Sequence, residues 1–125
     1  MNLHLSSEGE SINWINYKTG IKGLRFRMDA DSKEAVIAIE LTDRDSIQRK
    51  LFYENLVFLK EIFHGHLNEN WNWIPYKLNQ TCRIEKKLPN VNILNKDDWP
   101  ALIRFFKPRL IALDAFWNEV KPGFE

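Results

Sequence analysis

The sequence predicts an α+β domain in which two antiparallel β-hairpins alternate with two long helices, and both helices pack on one face of the sheet. Two observations predict this β-β-α-β-β-α order. Short runs in which apolar and polar residues alternate occur in two pairs, and a turn joins the members of each pair. Each pair is followed by a longer run whose apolar residues have the spacing of an amphipathic helix.

The first hairpin is predicted from Lys22–Met28 and Ala35–Thr42. The residues Asp29–Glu34 between them have the composition of a turn. In both runs every second residue is apolar, namely Leu24, Phe26 and Met28, then Ile37, Ile39 and Leu41. This period of two residues is typical of strands that bury one face.

The first helix is predicted to begin at Asp43 or Asp45 and to run to about His64, with Gly65 as its C-terminal stop. Its apolar residues recur at helical spacing and form one stripe: Ile47, Leu51, Phe52, Leu56, Leu59, Ile62 and Phe63. We expect this stripe to pack on the sheet.

The second hairpin is predicted from Trp71–Leu78 and Cys82–Leu88, across a turn at residues 79–81. Pro75 lacks the N–H group that a ladder requires, so its strand is expected at an edge or at a bulge.

The last helix is predicted to begin at Asp97 or Asp98, with Pro100 in its first turn. Its broad apolar stripe runs as far as Val120. Pro108 is expected to kink this helix or to split it in two, because proline cannot donate the helical hydrogen bond.

The composition indicates one domain spanning residues 1–125, in which residues 1–21 form a largely irregular N-terminal arm. The 18 Lys and Arg residues nearly balance the 17 acidic residues, which argues against a globally basic nucleic-acid-binding protein. The single cysteine, Cys82, cannot form an intrachain disulfide. No apolar run approaches the roughly 18 residues of a membrane helix, so we expect a cytoplasmic protein without a membrane partner.

The chain resembles an uncharacterised bacterial family, the domain of unknown function numbered forty-two sixty-eight. The resemblance rests on Ser7–Glu10, Asn13–Gly20, Phe26–Asp31, Ile39–Thr42, Asp97–Ile103, Phe106–Arg109 and Leu113–Trp117. It implies no catalytic residues, since none is established for the family. It also implies that similar domains follow nuclease-like domains in longer chains. Stand-alone relatives usually carry a further N-terminal helix, whose absence here would leave a hydrophobic groove open.

Three acidic residues of the first hairpin are candidates for a metal-dependent nuclease site: Asp29, Asp31 and Glu40. Such enzymes place an acid on one strand and a Glu-x-Lys motif on its neighbour. Thr42 stands where the lysine of that motif is required, so the motif is incomplete.

The expected pairing also separates these acids. A turn centred on residues 31–32 places Asp29 opposite Glu34, and Glu40 then lies roughly 20 Å from Asp29 along the ladder. The alternative is that Asp29 and Asp31 shape the turn while Glu40 pairs diagonally with Arg25. A metal-binding turn formed by Asp29, Asp31 and Glu34 alone stays open.

Aromatic and basic residues of the second hairpin are the candidates for a binding face. If the turn centres near residues 79–80, one side carries Trp71, Trp73, Lys77, Arg83 and Lys87, and the core side carries Cys82 and Ile84. Aromatic rings interleaved with cations suit stacking on bases and contact with phosphates. The alternative is a packing and cation–π role within the domain, or a contact with a protein.

The sequence contains no constellation that indicates catalysis. Cys82 lies on the expected core face, where a free cysteine behaves as a small hydrophobe. No nucleophile elbow, glycine-rich phosphate loop, metal site or cofactor motif is present. We therefore expect a non-enzymatic binding or accessory domain whose partner is a protein or a second copy of the chain. The alternative is a nucleic-acid-associated or nuclease-related module.

Overall fold

The computed structural model describes residues 17–75 and 82–125, together with the backbone of residues 4–7 and 10–13. Strands β1 (His4–Ser7) and β2 (Glu10–Asn13) pair as a two-stranded antiparallel sheet. The expectation of a largely irregular arm over residues 1–21 is therefore wrong for these two segments. Strands of only four residues are too short for their alternation to stand out from a composition rich in serine and asparagine.

The main body follows the predicted order of hairpin, helix, hairpin and helix, except that the first helix is divided in two. Its elements are β3 (Leu24–Ala30), β4 (Glu34–Leu41), α1 (Ser46–Phe58), α2 (Lys60–Leu67), β5 (Asn72–Ile74), β6 (Cys82–Pro89) and α3 (Trp99–Val120), with 3₁₀ helices at Lys96–Asp98 and Lys121–Phe124. The strands form one antiparallel sheet in the order β3-β4-β6-β5. The predicted α+β class is thus confirmed.

One hydrophobic core lies between the sheet and the helices. Alternate residues of β3, β4 and β6 point into it, and α3 contributes the largest share of the helical side chains. The buried indole of Trp117 donates from Nε1 to the carbonyl of Thr19 at 2.8 Å, so its polar group is satisfied inside the core. The helices therefore pack on one face of the sheet, as predicted.

The turn between β3 and β4 fixes the register of the first hairpin. The Asp31 carboxylate accepts hydrogen bonds from the backbone N–H groups of Lys33 at 2.7 Å and Glu34 at 2.9 Å. The ladder that follows places Arg25 directly opposite Glu40. The turn is centred one residue later than predicted, which moves the pairing by two positions and leaves each side chain on its predicted face.

Helix α1 is capped by Asp45, whose side chain accepts from the N–H of Ile47 at 2.9 Å. The helical path is interrupted at Leu59, where α1 ends and α2 begins. The prediction that Gly65 stops the helix is wrong, because α2 passes through Gly65 and ends at the left-handed residue Asn68, with φ of 51°. Asparagine tolerates this conformation and so replaces glycine as the cap.

Helix α3 runs through Pro108 without a break. The predicted split at this proline is therefore wrong. Pro108 and Arg104 are both exposed, so water can reach the Arg104 carbonyl that lacks its usual helical donor. In the part of the chain that the structure describes, none of the helices combines the length and apolar character that crossing a bilayer requires.

Candidate functional site

The face of the sheet that points away from the helices is rich in charge. Because side chains alternate along a strand, the residues between the core positions of β3, β4 and β6 all point to this side. They include four basic and four acidic residues: Arg25, Arg27, Arg83 and Lys87, and Asp29, Glu34, Glu40 and Glu85. We call these eight residues the charged sheet face. Its formal charges cancel.

Glu40 is the centre of this face, and its side chain is only 4% exposed. Its carboxylate accepts from Nε of Arg25 at 2.8 Å and from Nη1 of Arg27 at 3.2 Å. A third guanidinium, that of Arg83, lies 3.8 Å away. Three cations therefore compensate one buried carboxylate, which is the arrangement that a charge removed from water requires.

A small pocket of about 150 Å³ opens on this face, between the end of β3 and the middle of β6. Glu85 is buried in its wall, where Oε1 lies 2.7 Å from Nε of Arg83 and Oε2 lies 3.6 Å from Nζ of Lys87. Among the described residues no N–H points at Glu85 Oε1, so its contact with Arg83 is an ion pair without a hydrogen bond. Three basic and four acidic side chains line the pocket, so neither sign of charge dominates its wall.

The three acidic candidates do not converge. Asp29 lies opposite Val36, four positions along β4 from Glu40, which separates the two acids by roughly 13 Å. Arg27 lies between them, with Nη2 at 3.1 Å from Asp29 and Nη1 on Glu40. Glu40 also pairs directly with Arg25 rather than diagonally, because the register differs from the predicted one.

Asp31 serves the turn. The two backbone N–H groups that it accepts, from Lys33 and Glu34, lower the pKa of its carboxyl group. Across the described residues, no group of three or more His, Cys, Asp or Glu side chains has an arrangement that could hold a metal ion.

The sequence predicts one shared face for Trp71, Trp73, Lys77, Arg83 and Lys87. The structure does bring Arg83 and Lys87 together on the charged sheet face. It pairs Trp73 with Ile84, however, and Ile74 with Arg83, so Trp73 shares the core side. The prediction is wrong for this tryptophan because it required Trp73 to lie opposite an odd-numbered residue of β6, whereas the ladder pairs it with Ile84, and a difference of one position exchanges the two faces of a strand. Lys77 lies outside the described residues.

Both tryptophans have packing roles. Trp71 is buried, and its Nε1 donates to Glu69 at 2.9 Å. The ring of Trp73 packs edge-to-face on Phe63 with centroids 5.3 Å apart, and Nζ of Lys60 lies 4.9 Å from the ring centroid. The cation–π and packing alternative therefore describes Trp73, and neither ring lies on the charged sheet face.

Cys82 is fully buried at the start of β6, next to the carbonyl of Ile74. Burial raises the pKa of its thiol to about 11, although the nearby Arg49 acts in the opposite direction. A thiol that stays protonated at neutral pH is a weak nucleophile, so Cys82 is a core residue.

A second surface lies on the side of α1 that faces away from the sheet. Ile47, Leu51 and Phe58 are 68%, 53% and 84% exposed. Together with Glu54 they recur at intervals of four, three and four residues, and such spacing aligns side chains along one helical stripe. The buried Leu56 lies on the opposite side of the helix. We call Ile47, Leu51, Glu54 and Phe58 the outer face of α1.

This surface was not predicted from the sequence, because Ile47 and Leu51 were expected on the stripe that packs on the sheet. Ile62 of α2, assigned to the same stripe, is also exposed. The sequence did contain a signal for this surface, since the apolar residues of α1 occupy two opposite sides of the helix rather than one arc. Such a helix can pack against two neighbours.

Comparison with known proteins identifies the family. The profile of the family described as a domain of unknown function (DUF4268) matches residues 2–121, nearly the whole chain. The chain belongs to this family. No match was found among curated proteins or among solved structures.

Membership of DUF4268 confirms the family resemblance that the sequence motifs indicated, and the family's description assigns no activity. A function for this DUF4268 chain must therefore be inferred from its surfaces. The charged sheet face is internally compensated, whereas the outer face of α1 exposes apolar side chains that nothing in the described part of the chain covers.

Proposed function

We propose that this chain is a non-enzymatic binding domain of the bacterial cytoplasm that contacts a protein through the outer face of α1. The observation that carries the proposal is the exposure of Ile47, Leu51 and Phe58 on one stripe of a single helix. Removing apolar surface from water contributes about 25 cal/mol per Å². Contiguous exposed apolar patches of this kind mark interaction sites more often than scattered single residues do.

The chemistry of the polar residues supports a non-enzymatic role. Glu40, the most buried acid of the first hairpin, already accepts from Arg25 and Arg27. A carboxylate with these partners is not available to a further cation unless its hydrogen bonds to the two guanidinium groups are broken. Cys82, the one thiol of the chain, is buried and protonated at neutral pH.

Site-specific photo-crosslinking in cells that express the chain tests this proposal. Phe58 is replaced by the photoreactive analogue p-benzoylphenylalanine, and the matched control carries the same analogue at Asn118, an exposed position of α3. We expect a discrete protein adduct after irradiation of the position-58 variant and a much weaker one from the control. Equal labelling at both positions, or no adduct at position 58, would refute the proposed use of the outer face of α1.

A nucleic-acid-associated or nuclease-related module is the second candidate. It is favoured by the four basic residues of the charged sheet face, of which Arg25 is the most exposed, at 57% of its side chain. Four acids on the same face and the buried position of Trp71 weigh against it.

An anisotropy titration with labelled single- and double-stranded oligonucleotides distinguishes the two candidates. Phosphate contacts would give binding that weakens steeply with salt and falls further in Arg25→Ala. We expect no binding at low salt, and a salt-dependent signal that is lost in Arg25→Ala would favour the second candidate instead.

A further inference from the structure

The outer face of α1 has the residue pattern of one helix of a coiled coil. Ile47, Leu51, Glu54 and Phe58 follow the alternating spacing of four and three residues that forms an apolar seam between paired helices. Three of these four positions are apolar and exposed, and the fourth is an acid near the middle of the stripe. A partner for this seam must supply apolar groups at its ends and a cation near its centre.

The chain itself meets these requirements. We propose that the outer face of α1 docks against the same face of a second copy, with the two helices antiparallel about a two-fold axis. This inference rests on the proposed function and names its partner. In the antiparallel register that aligns the seams, Ile47 of one copy packs on Phe58 of the other, and Leu51 packs beside Glu54.

Charge favours the antiparallel direction. Lys50 precedes Leu51 on the edge of the seam, so the register that pairs Leu51 with Glu54 brings the Lys50 ammonium of one copy to the Glu54 carboxylate of the other. The two-fold axis makes this contact twice. A parallel pairing would instead place Glu54 on Glu54, which costs free energy because like charges repel in a partly desolvated seam.

The ends of the seam repeat this complementarity. Arg44 lies just before the cap of α1 and Glu61 just after the interruption at Leu59, so the antiparallel arrangement places these opposite charges at the same end of the paired helices. Both residues are exposed, as are Lys50 and Glu54. Within the described part of the chain no ion pair engages any of these four residues, so their charges remain open to an intermolecular partner.

The small area of the surface favours a weak, reversible pairing. The exposed fractions of Ile47, Leu51 and Phe58, with their neighbours Val57 and Ile62, correspond to roughly 500 Å² of apolar surface on each copy. Two copies would bury about 1,000 Å², which is at the lower limit for a specific interface. We therefore expect a reversible dimer with a dissociation constant on the order of 10 µM rather than an obligate one.

Sedimentation equilibrium of the purified chain, over concentrations from well below to well above this constant, tests the proposal with matched charge variants. In a dimer of either variant, Lys50→Glu or Glu54→Lys, both symmetry-related contacts between positions 50 and 54 bring like charges together. Each variant is therefore expected to weaken the dimer by about tenfold or more. An equimolar mixture of the two variants restores opposite charges at both contacts. It is expected to form a heterodimer about as tight as the unaltered dimer, and the double variant carrying both changes should also recover.

Two further variants address the apolar seam. Phe58→Asp is expected to abolish the dimer, because it places a carboxylate against Ile47. Leu94→Asp is the matched control, since Leu94 is 81% exposed on a different element and lies outside the seam; it should leave the dimer unchanged. Far-ultraviolet circular dichroism of every variant verifies that the helices remain folded.

If the chain sediments as a monomer at a protein concentration about ten times the expected dissociation constant, the second-copy proposal is overturned. A dimer that is insensitive to both charge variants overturns the antiparallel register. If the chain is a monomer and position 58 still crosslinks to a different protein in cells, the proposed function stands and only its assigned partner is wrong. If the chain is a monomer and position 58 gives no adduct, both proposals fail.

Discussion

Arg25 and Glu40 lie directly opposite each other on β3 and β4, and Nε of Arg25 donates to the Glu40 carboxylate at 2.8 Å. Glu40 is buried, whereas more than half of the Arg25 side chain is exposed. The arginine therefore covers the acid and supplies the charge that its burial requires. Glu40 therefore has a structural role in the sheet.

Removal of this charge should destabilise the fold. Glu40→Gln keeps the shape of the side chain but leaves Arg25, Arg27 and Arg83 without their shared anion. We expect the free energy of unfolding to fall by about 2 kcal/mol, less than the roughly 3–5 kcal/mol of a fully buried broken pair, because the guanidiniums reach solvent. Glu34→Gln, a half-buried acid on the same face, should cost less than about 1 kcal/mol. Urea unfolding measures both, and equal losses would contradict the central role of Glu40.

Gly23 occupies a position that other residues cannot adopt without strain. Its φ is 85°, and a Cβ at this position would lie 2.7 Å from Cβ of Asp43. We expect Gly23→Ala to reduce the free energy of unfolding by about 1–3 kcal/mol. Gly65→Ala is the matched control, because Gly65 is helical and has nothing within 4 Å of its added Cβ.

The control should change stability in the opposite direction. Alanine at Gly65 is expected to stabilise the chain by about 0.5–1 kcal/mol, since it favours the helix and restricts the unfolded chain. Thermal unfolding followed by circular dichroism reports both changes. A loss of stability in Gly65→Ala would show that α2 needs the glycine for another reason.

Burial of Cys82 predicts a loss of stability in alkaline solution. The thiol ionises near pH 9.0 in the unfolded chain, and burial raises its pKa to about 11 in the fold. Between these values the unfolded chain releases a proton that the folded chain keeps, so stability is fully present below pH 9.0 and decreases as pH rises towards 11. Denaturant titrations across this window should show the decrease. In Cys82→Ala the decrease should be smaller, and an unchanged slope would show that other groups cause it.

The sequence predicted those elements whose signals are local. The first hairpin follows from alternation and from the turn residues around Asp31, and its faces were right although its register moved by two positions. The end of the first helix was predicted wrongly, because glycine and asparagine can both end a helix and only the path of α2 shows that Asn68, and not Gly65, is its cap. The effect of Pro108 also could not be predicted from the sequence, since an exposed proline is tolerated where a buried one would break the helix.

The candidate site was predicted in part. The sequence singled out Glu40, Arg83 and Lys87, and the structure places all three on one face of the sheet. It could not place Trp73, because the register of the second hairpin depends on how β6 pairs with β4 and β5, and an odd change of register exchanges the two sides of the strand. The pairing of β4 with β6 is a contact between distant parts of the chain.

By itself, the sequence determined the α+β class, the order of hairpins and helices and the membership of the family, because periodicity and turn chemistry act over a few residues. The tertiary structure decided which side of each element is buried. Helix α1 carries apolar residues on two sides, and the sheet can cover only one of them, so Leu56 enters the core while Phe58 remains exposed. Packing of the whole chain makes this choice, since a local pattern fixes the spacing of apolar residues but not the neighbour that each side meets.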